Sequence, residues 1–182
     1  MRIIGGLCRG IKIKAPQHKD VRPTPDMVRE ALFDIIGDRI QDRNFIDLFA
    51  GSGAVGIEAL SRSAKSCIFI EKNFLCVKII NENLKNTGLS SRATVLNADV
   101  MSGLKKLSKK ITGVSYVFLD PPYNSSMIPE VLKGIHCSAL LLPEGLAIVE
   151  HHKKKEIWAE NWALVSRRDY GETALSFLKM EQ

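Results

Sequence analysis

From residue 45 to residue 150 of this 182-residue chain, short apolar runs alternate with stretches of helical spacing, and this pattern restricts the fold more than any other feature. Residues 45–49, 66–71, 93–97, 114–120 and 145–150 read as strands, with helical patterns in the gaps. Strands covered on both faces lose the in-and-out alternation, so near-continuous apolar runs signal a parallel sheet with helices on both sides. The end of the chain differs. Residues 164–168 and 174–180 are strand-like runs joined by Asp169-Tyr170-Gly171-Glu172-Thr173, which predicts an antiparallel hairpin at one edge. The expected fold is α/β and Rossmann-like: a mostly parallel seven-stranded sheet with one antiparallel C-terminal edge.

The opening of the chain lies outside this pattern. Ile3-Ile4-Gly5-Gly6-Leu7 and Gly10-Ile11-Lys12-Ile13-Lys14 alternate around glycines and predict a short β-hairpin with lysines on one face. Thr24-Pro25-Asp26 then supplies an N-cap, a proline at the first helical position and an acid in the first turn, followed by Val28, Ala31, Leu32, Ile35 and Ile36 at amphipathic spacing. Charge follows the same division. The net charge is +6, and the first 22 residues hold Arg2, Arg9, Lys12, Lys14, Lys19 and Arg22 against Asp20 alone. A basic end on a nearly neutral body is the footprint of a polyanion binder, with nucleic acid as first candidate and a solvated basic surface as the alternative. The chain divides into a basic hairpin appendage, 1–22, and a main domain, 23–182.

Composition excludes several classes. With 45% hydrophobic and 25% charged residues the chain is neither disordered, collagen-like nor disulfide-dense. No apolar run approaches the roughly 18–20 residues of a membrane span. The first residues lack the apolar stretch of a secretory signal, so the expected compartment is the cytoplasm. The cysteines at 8, 67, 76 and 137 form no CxxC pair and read as free thiols, with no metal site expected.

The chemistry begins at Asp47-Leu48-Phe49-Ala50-Gly51-Ser52-Gly53-Ala54-Val55-Gly56, which runs from a strand into a helix. Gly51, Gly53 and Gly56 satisfy GxGxxG: glycines let the backbone approach a ligand at a helix N-terminus. Glu71 closes the next strand, 20 residues beyond Gly51, where an acid can accept hydrogen bonds from both ribose hydroxyls of a nucleoside. Asp47 argues against a dinucleotide, because a carboxylate beside the loop repels a pyrophosphate but suits the amino end of a cationic ligand such as S-adenosyl-L-methionine. Asp99, after the third strand, can accept from an adenine amino group or cap a helix. Phe49, Ala50, Lys72 and Val100 flank these positions and complete the expected cofactor set.

Asp120-Pro121-Pro122-Tyr123 ends the fourth strand, at the edge where open α/β sheets bind ligands. Two prolines fix two φ angles and leave the Pro121 carbonyl rigid beside a carboxylate. An exocyclic amine conjugated to a base is a poor nucleophile. Two acceptors, Asp120 and the Pro121 carbonyl, can take its hydrogens and localise its lone pair toward a methyl donor, so catalysis is chiefly orientation and electrostatics. Tyr123 would stack on or clamp the base.

Together, the DLFAGSGAVG loop, Glu71 and DPPY resemble class I S-adenosylmethionine-dependent methyltransferases that modify exocyclic amines. More narrowly, MRIIGG at the start, RPTPDMVREALFDII at 22–36, GIEALSR at 56–62 and RRDYGETALSF at 167–177 resemble the bacterial 16S rRNA guanine-N2 methyltransferases of the RsmD type. The resemblance covers nearly the full length, with 85–112 and 151–163 matching loosely. It implies methylation of the 2-amino group of a guanine in 16S rRNA, guanine 966, within an assembling small ribosomal subunit, by a monomeric enzyme without metal. Asp120, Pro121, Pro122 and Tyr123 are then the expected catalytic residues, and Arg2, Lys12, Lys14, Arg22, Thr24 and Arg29 the expected RNA contacts. The rivals are an amine methyltransferase for adenine-N6, cytosine-N4 or protein glutamine, an NAD-dependent dehydrogenase, and a non-catalytic RNA-binding module.

Other charged and aromatic residues have plainer readings. His151-His152-Lys153-Lys154-Lys155 reads as a solvated basic loop, since neighbours in a strand point to opposite sides. Lys105, Lys106, Lys109 and Lys110 read as the wet face of a helix. Trp158 and Trp162, four apart, read as packing of a short helix, and Cys67 and Cys76 as core.

Overall fold

A computed structural model describes residues 1–16, 26–122 and 126–181. Seven strands form one sheet: β1 (Asn44–Asp47), β2 (Ser66–Glu71), β3 (Ala93–Asn97), β4 (Val114–Leu119), β5 (Leu141–His152), β6 (Trp162–Tyr170) and β7 (Thr173–Met180). Their order is β3-β2-β1-β4-β5-β7-β6. β1 to β5 pair in parallel, while β7 runs antiparallel to both β5 and β6. Among the described residues five α-helices connect or flank them: α1 (Asp26–Ile36), α2 (Ala54–Ser61), α3 (Phe74–Thr87), α4 (Val100–Leu107) and α5 (Ile128–Ser138).

The apolar strand runs explain the two-sided burial. Phe45 and Phe69 point into one core with Leu32 and Phe33 of α1, Ile57 of α2 and Ile80 and Leu84 of α3. Ile46 and Ile68, one position along each strand, point into the opposite core with Leu104 of α4 and Val131 and Ile135 of α5. Neighbouring strand residues face opposite sides, so an apolar pair such as Phe45-Ile46 is needed wherever both faces are covered. Strand order reverses between β1 and β4, and the crevice beyond their C-terminal ends is where such sheets take ligands.

Local chemistry sets the element ends. Asn73 caps α3 by accepting the Leu75 N–H at 2.9 Å, and Gly88 ends it in the left-handed conformation. The β6–β7 hairpin turns on Gly171, whose φ is +61.

The N-terminal segment is more compact than a two-stranded ribbon. Arg2 pairs antiparallel with Lys12, and the Ile3 N–H to Ile11 carbonyl and Ile13 N–H to Met1 carbonyl bonds at 3.0 and 3.1 Å flank the pair as expected of a short hairpin, while Gly6–Cys8 form a 3-10 turn within it. Ile3, Cys8 and Ile13 are buried in the same core as α1, α2 and α3, so this segment packs on the main body rather than standing off it. Gly6 makes the close approach possible: its φ is +73, and a Cβ there would lie 2.0 Å from the Ser61 carbonyl oxygen.

Two further expectations change, the first at His151, which lies in β5 and is buried rather than on a solvated loop, the second at the tryptophans. Trp158 and Trp162 do not share a helix: Trp158 is 78% exposed, while Trp162 opens β6, is buried, and donates its indole N–H to the Leu132 carbonyl at 3.2 Å. The exposed polar neighbours Glu156, Glu160 and Asn161 leave no apolar stripe to hold a helix there. The capping residues Thr24 and Pro25 lie outside the described residues, as do Arg22 and Tyr123. Among the described residues no helix is long and apolar enough to cross a membrane.

Candidate active site

The glycine loop and the ends of β1, β2, β3 and β4 enclose a cleft of about 580 Å³. This is within the range of about 300–1,000 Å³ typical of small-molecule sites. Asp47, Phe49, Ala50, Gly51, Glu71, Lys72, Asp99, Val100, Asp120, Pro121 and Pro122 all line it. All the expected cofactor residues except Gly53 therefore share one cavity with the described part of the DPPY segment. Gly53 stands behind it, in the left-handed conformation at φ +78, as the residue on which α2 begins. Gly56 serves helix–sheet packing, since a Cβ there would lie 2.3 Å from the Phe69 ring.

Two carboxylates shape the loop from inside. Glu71 accepts the Gly51 N–H at 2.8 Å with one oxygen and the Asn73 N–H at 2.7 Å with the other. It is held at the rim with lone pairs to spare, since each carboxylate oxygen takes two hydrogen bonds. Asp47 accepts the Gly56 N–H at 3.1 Å and is 2% exposed. Burial pushes its pKa up to about 7, against the lowering effect of the Gly56 bond, and the charges of Glu71 and Glu150 push the same way as burial. Burial thus favours the protonated form of Asp47, a property its position in the sequence does not reveal.

Asp99 is the N-cap of α4, where it accepts the Ser102 N–H at 3.0 Å. Bonds from the Ser102 side chain and backbone hold its carboxyl below the usual range. It caps the helix and lines the cleft at once. At the far end, Asp120 and Pro121 also border a small recess with Glu150, His151 and Lys155. His151 is buried between the Ser176 hydroxyl at 2.8 Å and the His152 carbonyl at 2.9 Å, and burial lowers its pKa.

The expected RNA contacts divide. Arg2 and Lys12 are exposed and sit opposite each other, so their side chains share one face. Lys14 is exposed, its ammonium 2.8 Å from Glu82, an exposed pair of little energetic weight that a phosphate can replace. Arg29 is a correction. It is fully buried, donates to the Arg2 carbonyl at 2.7 Å and to Asp26 at 3.0 Å, and lies 3.6 Å from Glu58, so it holds the fold and cannot reach RNA. At helical spacing it falls one position after Val28 and three before Leu32, on the inner face of α1.

Glu58 and Asn83 are buried polar residues that motif reading passed over. Glu58 accepts the N–H groups of Ile4 at 2.9 Å and Gly5 at 2.7 Å, and its carboxylate is 3.0 Å from Arg62 Nε. A lone acid inside the otherwise apolar AVGIEALS helix was the available signal, since a buried charge demands partners.

The sheet order is that of the Rossmann-like methyltransferases, and the cleft opens where that order reverses. The model of the family described as Conserved hypothetical protein 95 matches residues 1–179, and the chain belongs to that family. It is 35% identical to ribosomal RNA small subunit methyltransferase D of Escherichia coli (strain K12), over all of this chain and 90% of that protein. The protein of the same name from Haemophilus influenzae is 35% identical over 94% of this chain and 89% of its own length. Among solved structures, a hypothetical protein from Thermus thermophilus superposes with a TM-score of 0.85 at 34% identity, covering 100% of this chain and 99% of that one. An RNA methyltransferase from Salinibacter ruber, solved with S-adenosyl-L-homocysteine, shares the fold with a TM-score of 0.70 at 16% identity, covering 88% of this chain and 95% of that one.

Proposed function

We propose that this chain transfers the methyl group of S-adenosyl-L-methionine to the exocyclic N2 of a guanine in 16S rRNA, in the cytoplasm, on the RNA or on the assembling small subunit. The observation that carries this reading is the shared cavity, in which the glycine loop and Glu71 line one end and Asp120 and Pro121 the other. The names of the Escherichia coli and Haemophilus influenzae relatives support rRNA of the small subunit as substrate. The choice of guanine N2, at guanine 966, follows from the resemblance of the N-terminal and C-terminal motifs to the RsmD type.

The residues fit the cofactor. The Asp47 carboxyl lines the cleft and repels phosphate while accepting an ammonium, and Glu71 stands at the rim where ribose hydroxyls can donate to it. Asp99 and Val100 border the adenine end in this arrangement. The cofactor supplies a methyl group made electrophilic by its sulfonium. Asp120 and the Pro121 carbonyl accept the two amine hydrogens and turn the nitrogen lone pair toward that methyl. The Asp120 carboxylate also stabilises the positive charge that grows on the amine as the N–C bond forms and the methyl–sulfur bond breaks, with S-adenosyl-L-homocysteine leaving as the neutral thioether. The surplus amine proton then passes to Asp120 and on to solvent, so no strong base is required. Pro122 stiffens the segment and Tyr123 stacks on the extruded base. Arg2, Lys12, Lys14, Arg22 and Thr24 hold the RNA backbone, with residues 1–22 acting as the RNA arm and 23–182 as the catalytic body.

The test is incorporation of labelled methyl from S-adenosyl-L-methionine into small-subunit RNA and particles that lack the modification, beside calorimetry with S-adenosyl-L-methionine and NAD. Binding of the former and labelling of the RNA are expected. Binding of NAD alone would favour the dehydrogenase, and RNA binding without methyl transfer a non-catalytic module.

A further inference from the structure

A buried amide on α3 joins the basic arm to the glycine loop. Asn83 is 1% exposed. Its Oδ1 accepts the Lys14 N–H at 2.8 Å, and its Nδ2 donates to the Lys14 carbonyl at 3.0 Å and to the Ser52 carbonyl at 3.0 Å. Both amide hydrogens and the amide oxygen are thereby used. An amide that pairs with the N–H and the carbonyl of one residue fixes that stretch of backbone in position and direction, as a ladder partner does in a sheet. The third bond reaches the residue between Gly51 and Gly53. Two residues after Lys14 the chain reaches Pro16, which lines the cleft.

Packing alone does not call for an amide here. Ile80 and Leu84, on the same buried face of α3, meet the core with apolar side chains, and a buried amide costs stability unless every group is paired. Asn86, farther along α3, makes a useful contrast: it donates to the Lys12 carbonyl at 3.0 Å from an exposed position. Asn86 therefore steadies the arm from solvent, whereas Asn83 steadies the arm and the loop together.

We infer that Asn83 is a positioning residue that couples RNA binding to cofactor binding, through Lys14 on one side and Ser52 on the other. This rests on the assignment of the arm to RNA and of the cleft to the cofactor. A ligand that fixes the glycine loop fixes the Ser52 carbonyl. Through the shared amide it then fixes the Lys14 backbone, so the second ligand meets an already ordered joint. Such coupling is reciprocal, and either ligand tightens the other by the same factor.

The experiment measures affinity for a 16S rRNA fragment with and without saturating S-adenosylhomocysteine, and affinity for S-adenosylhomocysteine with and without the RNA. The wild-type protein should show the same enhancement in both directions, about fivefold or more. Asn83→Leu should bring the ratio close to one. Asn86→Ala should weaken RNA in both conditions and keep the wild-type ratio, which separates coupling from simple loosening of the arm. If Asn83→Leu fails to fold, Asn83→Asp replaces it, since it keeps an acceptor for the Lys14 N–H and loses both donors. A wild-type ratio of one, an Asn83 variant with the wild-type ratio, or loss of the ratio in Asn86→Ala would overturn the inference while leaving methyl transfer to RNA standing. Absence of RNA binding by the wild-type protein in every condition would instead overturn the functional reading and this inference with it.

Discussion

Glu71 and Gly51, 20 residues apart in sequence, meet at 2.8 Å, with the carboxylate of one accepting the backbone N–H of the other. This bond ties the end of β2 to the turn that follows β1. The cofactor rim and the glycine loop therefore move as one piece. Glu71→Ala should weaken S-adenosyl-L-methionine by about 1.5–3 kcal/mol, the range for hydrogen bonds to a charged group, and leave RNA affinity alone. Calorimetry checks this, and an unchanged affinity would remove Glu71 from the ribose.

The raised pKa of Asp47, about 7, gives a pH signature. A carboxyl that holds its proton more tightly when folded stabilises the fold at low pH. That contribution is lost as pH rises from the ordinary carboxyl range near 4 to about 7, because the native state then binds more protons than the unfolded one. Asp47→Asn should flatten the dependence of unfolding free energy on pH across this window, measured by denaturant titration at several pH values. An identical slope in wild-type and variant would contradict the assignment.

Glu58 should be the most costly of the buried charges to remove. It sits between Arg29 and Arg62 and holds the Ile4 and Gly5 N–H groups. Removing one partner of a buried pair leaves the other uncompensated, so Glu58→Ala should lower stability by about 3–5 kcal/mol. Urea denaturation decides, and a loss below about 1 kcal/mol, the level of an exposed pair, would mean that the arm is held by packing alone.

The sheet was legible because its central strands are apolar on both faces: β2 spans the residues expected of it, and Phe45-Ile46 fills two cores at once. The cleft was legible too, because glycines at a strand–helix turn, an acid closing the next strand and a rigid Pro-Pro segment each state a local backbone requirement. Arg29 was not. A charge on an amphipathic helix suggests solvent, and only the distant partners Glu58 and the Arg2 carbonyl make burial tolerable. Asn83 was missed for the same reason, since Ser52 and Lys14 lie 31 and 69 positions away. The region around Trp158 lacked any periodic stripe, and two tryptophans four apart are poor evidence for a helix without one.

The basic arm should act on RNA rather than on chemistry. Lys12 and Lys14 lie on exposed positions of the arm and are not among the described residues that line the cleft. Neutralising Lys12, Lys14 and Arg22 should weaken RNA binding across sequences and remove about two units from the slope of log affinity against log salt, since each phosphate contact contributes roughly 0.7–0.9. S-adenosyl-L-methionine affinity should stay as it is. A salt titration with an unaltered slope would reduce the basic end to an ordinary solvated surface.

Methyl transfer to an exocyclic amine held by Asp120 is tested most directly by nucleoside mass spectrometry of small-subunit RNA treated with wild-type protein or Asp120→Ala and labelled S-adenosyl-L-methionine. The wild-type protein should yield labelled N2-methylguanosine. Asp120→Ala should yield it roughly 10²–10³ times more slowly, the cost of losing one preorganised polar contact, with cofactor affinity unchanged. Label on adenine N6 or cytosine N4, or full turnover by the variant, would contradict the account.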